Sequence, residues 1–214
     1  MTTYNDQLSK YVAGLFAPHD AALQRAWDDI PRYGLPAISV KPEEGRFLQF
    51  LARACGARQA LELGTLGGYS SIWIARGLAP GGRLITIERD PRHAEIAAAH
   101  FSEAGLSDRI EIRIGEAGQL LGTLSEETPF DFIFIDADKP GYPDYFGWAL
   151  ENVRLGGVIA SHNAFRHGSV AGIGPDDEFS ETMRAFNQRV AAEERLISTI
   201  FPAGDGMLIS VKIP

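Results

Sequence analysis

Short apolar runs alternate with amphipathic stretches from residue 57 onward. Runs this short are typical of buried strands, and apolar residues three and four positions apart are typical of helices. The pattern predicts five strands, at 60–63, 83–88, 110–114, 130–136 and 158–161, with helices between them near 70–78, 91–104, 117–124 and 142–151. Strands joined by helices form a parallel sheet covered on both faces, so the predicted fold is α/β and doubly wound.

The two ends of the chain depart from this alternation. Apolar positions in 4–27 have helical spacing interrupted at Pro18, and Pro42 begins a further helix with two acids in its first turn. The strand-like segments 196–201 and 207–213 are too close together for a crossover helix, so we expect an antiparallel hairpin. We predict a single domain, 1–214, with N-terminal helices in 1–56 and the α/β core in 57–214.

Composition and charge exclude several classes of function. The formal net charge is −8 and the Lys and Arg residues are scattered, whereas nucleic-acid binding needs clustered cations. Because the chain has neither a long apolar run nor a cationic, apolar start, we expect no membrane partner and a cytoplasmic location. The single cysteine, Cys55, excludes an internal disulfide and is predicted to be a small buried apolar residue.

The segment 60–71, A-L-E-L-G-T-L-G-G-Y-S-S, places a carboxylate, Glu62, where a strand turns into a helix. Glycine-rich turns in this position expose backbone N–H groups and usually bind phosphate. A buried carboxylate repels a pyrophosphate but attracts an ammonium, and the spacing G-x-x-G-G differs from the dinucleotide pattern. Glu62 therefore favours S-adenosylmethionine (SAM), whose amino-acid end carries an ammonium, over a dinucleotide.

Glu88 ends the second predicted strand, about 20 residues after Gly68. At this place in a nucleotide-binding fold an acid accepts both hydroxyls of an adenosine ribose. The position fits NAD and SAM equally well, and the alternative is an ordinary acid at a strand end.

Polar residues also follow the fourth and fifth predicted strands. Asp136, Asp138 and Lys139 follow the fourth, and His162 and Asn163 follow the fifth. Because the carboxyl ends of parallel strands meet at one edge, we expect these side chains to share a cleft. Two carboxylates beside an ammonium either bind a divalent metal through Asp136, with Lys139 near a substrate hydroxyl, or form a plain ion pair; His162 and Asn163 favour the first interpretation.

Together these motifs resemble the cation-dependent class I O-methyltransferases, such as the catechol and caffeoyl-coenzyme A O-methyltransferases, especially the short bacterial members. The resemblance covers nearly the whole chain and includes V-K-P-E-E-G at 40–45, L-E-L-G-T-L-G-G-Y-S at 61–70, I-E-R-D-P at 87–91 and F-I-D-A-D-K at 134–139. It implies a Rossmann-like, mostly parallel seven-stranded sheet closed by the C-terminal hairpin, and a homodimer. The implied reaction is methyl transfer from SAM to a hydroxyl of a small aromatic acceptor.

The resemblance also implies roles for individual residues. Asp136 and Asn163 match ligands of a divalent cation such as Mg²⁺, Lys139 matches the catalytic lysine, and His167 matches a substrate contact. Aromatic walls for the acceptor are expected from Tyr142, Tyr145, Trp148 or Phe165, although the helical spacing of Trp148 favours a core position. The residues that match the SAM pocket are Val40, Glu62, Gly64, Thr65, Ser70, Glu88, Ala117, Asp136 and Asp138.

His162 departs from the family pattern, which has an aspartate ligand at this position. An imidazole lacks the negative charge and the hard oxygen that Mg²⁺ prefers, and it suits Mn²⁺, Zn²⁺ or another transition metal better. Three roles for His162 stay open: metal ligand, general base in a metal-free transfer, or structural residue in a degraded site. Two alternatives to the enzyme also stay open, namely a non-catalytic SAM-binding protein of the same fold and, less favoured, an NAD-dependent oxidoreductase.

Overall fold

A computed structural model describes residues 4–214 and contains a seven-stranded sheet of order β3-β2-β1-β4-β5-β7-β6. The strands are β1 (Gln59–Leu63), β2 (Arg83–Glu88), β3 (Ile110–Ile114), β4 (Phe130–Ile135), β5 (Val153–Ser161), β6 (Leu196–Phe201) and β7 (Met207–Lys212). The helices are α1 (Asp6–Phe16), α2 (Ala21–Arg32), α3 (Pro42–Ala54), α4 (Tyr69–Gly77), α5 (Pro91–Glu103), α6 (Ala117–Leu120), α7 (Tyr142–Asn152) and α8 (Ser180–Ala191).

Strand pairing confirms the predicted fold class. β1 to β5 pair in parallel, while β7 runs antiparallel to both β5 and β6. Since β1 lies between β2 and β4, the order of strand addition reverses beside β1. At such a switch point the loops after the neighbouring strands diverge and leave a crevice at their carboxyl ends.

The sheet is buried on both faces, which explains the nearly continuous apolar runs of its strands. In β4, Phe132 and Phe134 belong to the core cluster under α2 to α5, whereas Ile133 and Ile135 belong to the cluster under α6 to α8. Successive side chains of a strand point to opposite faces, so one apolar strand supplies both cores. No helix within residues 4–214 combines the length and apolarity that a bilayer crossing requires.

Three local predictions need correction. The helix predicted at 117–124 is α-helical only to Leu120 and continues as a 3₁₀ helix to Glu127, which fits the low helix propensity of Gly118 and Gly122. Helix α8 was not predicted, although its buried residues Met183, Phe186 and Val190 have helical spacing. Cys55 is only half-buried, but burial raises the pKa of its thiol, which disfavours a reactive thiolate.

Gly64 begins the glycine loop, residues 64–68 between β1 and α4, with a φ of +98°. A Cβ there would collide with the backbone carbonyl of Asp136. Gly81 is also left-handed, with a φ of +74°, but a Cβ there meets nothing within 4 Å. We therefore expect Gly81→Ala to cost roughly 1–2 kcal/mol of unfolding free energy, from backbone strain alone. Gly64→Ala should cost about 3 kcal/mol or more, because steric overlap adds to the strain. Urea unfolding of both variants measures the difference, and equal losses would contradict the steric argument.

Candidate active site

A cavity of about 600 Å³ opens at the carboxyl ends of β1 to β5. The segment before α3 and the loop between β6 and β7 complete its walls. Its lining contains nearly every residue that the sequence singled out: Val40, Gly64, Thr65, Ser70, Glu88, Ala117, Asp136, Asp138, Lys139, His162, Asn163 and His167. The predicted convergence of these side chains on one cleft is therefore seen in the structure.

Glu88 is held at the mouth of the glycine loop. Its Oε2 accepts the backbone N–H groups of Thr65 (3.2 Å) and Leu66 (2.8 Å), and its Oε1 accepts the N–H of Asp90 (2.9 Å). These bonds tie the end of β2 to the loop that follows β1. The carboxylate of Glu88 is thereby fixed in position before any ligand arrives.

Glu62 lies beneath the cavity floor and is fully buried. Its carboxylate accepts hydrogen bonds from the hydroxyls of Ser70 (2.6 Å), Thr86 (2.8 Å) and Ser71. Burial raises the pKa of Glu62 to about 7, because loss of hydration outweighs the three hydroxyl bonds. Ser70 lines the cavity above Glu62, so direct contact between Glu62 and a ligand ammonium stays a prediction.

Beyond the glycine loop, four charged side chains form a continuous hydrogen-bonded chain. Lys139 Nζ donates to Asp136 Oδ1 (3.2 Å), and His162 Nδ1 lies 3.2 Å from Asp136 Oδ2. The other ring nitrogen of His162, Nε2, lies 3.0 Å from Oε1 of Glu44 in the first turn of α3. Lys139 also donates to the hydroxyl of Tyr142 (2.7 Å), which anchors its ammonium at the edge of the cavity.

The charges in this chain shift one another's pKa values. Burial disfavours the ionised form of Asp136, but the cations His162 and Lys139 outweigh it and lower its pKa to about 2. Burial likewise disfavours the protonated ring of His162, but Asp136 and Glu44 outweigh it and raise its pKa to about 10. At neutral pH Asp136 is therefore ionised and His162 is protonated, so opposite charges face each other in this chain.

The predicted metal ligands Asp136, His162 and Asn163 come together, but this donor set does not fit a divalent cation. A ligand histidine must be neutral and offer a lone pair, whereas both ring nitrogens of His162 face carboxylate oxygens. Asp136 and Asn163 keep oxygen lone pairs for a cation, since each oxygen of Asp136 has one contact and Asn163 donates to Asp205 (3.0 Å) through its amide nitrogen, so the misfit lies with His162. Across residues 4–214, no three His, Cys, Asp or Glu side chains are grouped as a metal would require. The geometry does not support the predicted metal site.

The acceptor side of the cavity differs from expectation. Tyr142 and Tyr145 pack into the core under α7, and none of the four predicted aromatic residues lines the cavity. The aromatic residues that do line it are Phe179 and Tyr69. Tyr142, Tyr145 and Trp148 lie three residues apart on α7. They therefore share the helix face that packs against the sheet, and their rings point away from the cavity.

His167 lies at the rim, with 77% of its side chain exposed. Its backbone N–H donates to Asp205 (2.6 Å), and the adjacent Arg166 pairs with Asp177 (2.7 Å) and packs over the ring of Phe179. The segment with Arg166 and His167 is therefore tied both to the β6–β7 loop and to the segment before α8. This arrangement is compatible with the predicted substrate contact of His167, which stays a prediction.

Sequence reasoning missed two residues that shape the site. Glu44 was interpreted only as an acid in the first turn of α3, and Asp205 only as part of a hairpin loop. Glu44 also accepts the backbone N–H of Lys41 (2.8 Å), which caps the start of α3. No local signal predicted its contact with His162, because the two residues are 118 positions apart.

Comparison with known proteins identifies the family. A family model described as O-methyltransferase matches residues 21–213. The chain is 42% identical over 213 residues to a catechol O-methyltransferase of Niastella koreensis, with 96% of each chain covered. It is 38% identical to a catechol O-methyltransferase of Mycobacterium tuberculosis, over 90% of this chain and 89% of that one.

Solved structures give the same result. An O-methyltransferase from Bacillus cereus, in complex with S-adenosylhomocysteine (SAH), has a TM-score of 0.89 at 41% identity and covers 96% of this chain and 97% of its own. The O-methyltransferase TomG from Streptomyces achromogenes, in complex with SAM, has a TM-score of 0.87 at 37% identity over 97% and 96% of the two chains. The resemblance predicted from the motifs is confirmed, and the chain belongs to the O-methyltransferase family.

Proposed function

We propose that this protein transfers the methyl group of SAM to a hydroxyl of a small catechol-like aromatic acceptor. One observation carries the proposal: a single cavity joins the glycine loop and Glu88 to the charged chain of Lys139, Asp136 and His162. The first part suits a SAM molecule, and the second suits an acceptor oxygen that must lose its proton. The names of the relatives at 42% and 38% identity support a catechol-type acceptor.

The residues of the cofactor half match the parts of SAM. Glu88 presents a fixed carboxylate to the ribose hydroxyls, and Ala117 lies at the start of α6 for the adenine side. Ser70, backed by Glu62, offers a polar, anionic environment for the ammonium of the amino-acid end. SAM supplies an activated methyl group on a positively charged sulfur.

In the acceptor half, the chain's own residues favour the ionised acceptor. The ammonium of Lys139 stabilises a developing phenolate, whose proton leaves to solvent through the cavity mouth. The oxygen lone pair forms the new O–C bond as the C–S bond breaks, and the sulfur keeps that electron pair in SAH. The site aligns the two reactants in one cavity, which lowers the entropic part of the barrier. The predicted divalent cation has no part in this proposal.

Calorimetry and mass spectrometry test the proposal together. We expect SAM and SAH to bind and NADH not to bind, and we expect catechol and caffeic acid to gain one methyl group each when SAM is present. Binding of SAM without methylation of any acceptor, with or without added Mg²⁺, Mn²⁺ or Zn²⁺, would instead support the non-catalytic alternative. Binding of NADH without SAM would support the oxidoreductase.

Three further expectations stay predictions: the homodimer, the absence of nucleic-acid and membrane partners, and the cytoplasmic location.

A further inference from the structure

His162 is clamped between two carboxylates from distant parts of the chain. Its Nδ1 faces Asp136 at the end of β4, and its Nε2 faces Glu44 at the start of α3. The backbone N–H of His162 also donates to the carbonyl of Ile135 (3.0 Å), so both the main chain and the ring are fixed. Only 4% of His162 is exposed.

Glu44 is itself held in place on two sides. Its Oε2 accepts the N–H of Lys41, and Gly204 of the β6–β7 loop packs directly against its carboxylate, where a Cβ would collide with it. Its other oxygen, Oε1, bonds to His162, and the residue is almost fully buried. Buried carboxylates need partners, and the imidazole of His162 is the charged partner of Glu44.

This clamp occupies both ring nitrogens of His162, the atoms through which it would ligate a metal. Ionised carboxylates only accept hydrogen bonds, so both nitrogens of His162 must donate, and neither can ligate a metal or accept a proton. The geometry therefore disfavours the metal-ligand role and the general-base role that the sequence left open. It leaves a cationic ring beside Asp136, opposite the ammonium of Lys139.

We propose that the Glu44–His162–Asp136 chain replaces the divalent-cation site of this O-methyltransferase, and that Glu44 is the positioning residue that holds His162 there. The catalytic part of this inference rests on the proposed methyl transfer, whereas the metal-binding part does not. The ring of His162 then pairs with Asp136 and Glu44 in place of a metal ion, Lys139 supplies the ammonium beside the acceptor oxygen, and methyl transfer proceeds with no added metal. A preorganised cation stabilises developing negative charge without reorganisation at the moment of reaction.

Metal binding and activity are measured separately. We expect the wild-type protein to bind no Mn²⁺ by electron paramagnetic resonance and to keep its full methylation rate in EDTA. His162→Asp removes the clamp and adds a hard oxygen beside Asp136 and Asn163, so we expect stoichiometric Mn²⁺ binding and a methylation rate that depends on Mg²⁺ or Mn²⁺. Stoichiometric Mn²⁺ binding by the wild-type protein would overturn the proposal, even if no acceptor were methylated.

Glu44→Gln tests the positioning role without changing the size of the side chain. Loss of one charge-assisted hydrogen bond should lower kcat about tenfold or more, with little change in KM for SAM. The control is Glu43→Gln, because Glu43 is the neighbouring buried acid of α3 but bonds to Ser9 and Tyr4 instead of the site. We expect the control to keep its kcat. Equal kcat in the Glu44→Gln variant and the wild type, or equal losses in both variants, would overturn the positioning role.

Discussion

Lys139→Met is expected to lower kcat about 10²- to 10³-fold while leaving SAM affinity nearly unchanged. Methionine keeps the apolar stem but removes the ammonium that donates to Asp136, the Ala137 carbonyl and Tyr142. An acceptor hydroxyl then loses the cation that favours its ionised form. Saturating kinetics with SAM and catechol measure kcat, and calorimetry measures the SAM dissociation constant.

The acidity of the acceptor separates this electrostatic role from a structural one. A nitro-substituted catechol ionises more readily, so we expect the Lys139→Met loss to shrink for that acceptor. The control is Lys10→Met, because Lys10 is an exposed lysine of α1 far from the cavity lining. An equal loss with acidic and less acidic catechols would show that Lys139 acts only by holding the loop after β4.

Glu62→Gln should change both stability and cofactor binding. The folded-state pKa of Glu62 is about 7, above its ordinary value of 4.5, so the folded protein holds an extra proton between these pH values. The contribution of Glu62 to the unfolding free energy is therefore largest below pH 4.5, and it declines as the pH rises to about 7. The difference in unfolding free energy between wild type and variant should change across this window by on the order of 3 kcal/mol.

The other strongly shifted groups act in different windows. The lowered pKa of Asp136, about 2, changes the unfolding free energy only below about pH 3.8, its ordinary pKa. The raised pKa of His162, about 10, changes it mainly above pH 6.5. Urea unfolding at several pH values measures the effect, and Glu95→Gln in the exposed face of α5 is the control. A constant difference between wild type and Glu62→Gln from pH 4.5 to 7 would contradict the raised pKa.

The same ionisation should affect SAM binding. Ionised Glu62 attracts the ammonium of SAM through Ser70, so the affinity of the wild-type protein should rise from pH 5 to pH 8. The uncharged variant should bind SAM more weakly at pH 8 and lose that dependence. Calorimetry at both pH values measures this, and an identical pH dependence in the two proteins would remove Glu62 from the ammonium site.

Local patterns predicted much of the fold and the gathering of the candidate site residues at one edge of the sheet. A strand of four to six apolar residues carries its own periodicity, and parallel strands bring the residues that follow them to one edge. For this reason the sequence predicts Glu88, Asp136, Lys139 and His162 in one cleft, and all four line the cavity. Helix α8 was missed because its apolar residues are sparse, and their burial depends on the sheet that they cover.

The sequence by itself determined the doubly wound fold and the glycine loop with Glu62, and the family resemblance that it carries implied a histidine in place of a metal-binding aspartate. Only the tertiary structure decided which groups surround His162 and Glu62. Packing brought Glu44 to the second ring nitrogen of His162 and placed three hydroxyls around Glu62. Protonation and metal binding depend on which groups meet in space, and contacts between distant segments leave no periodicity in the chain.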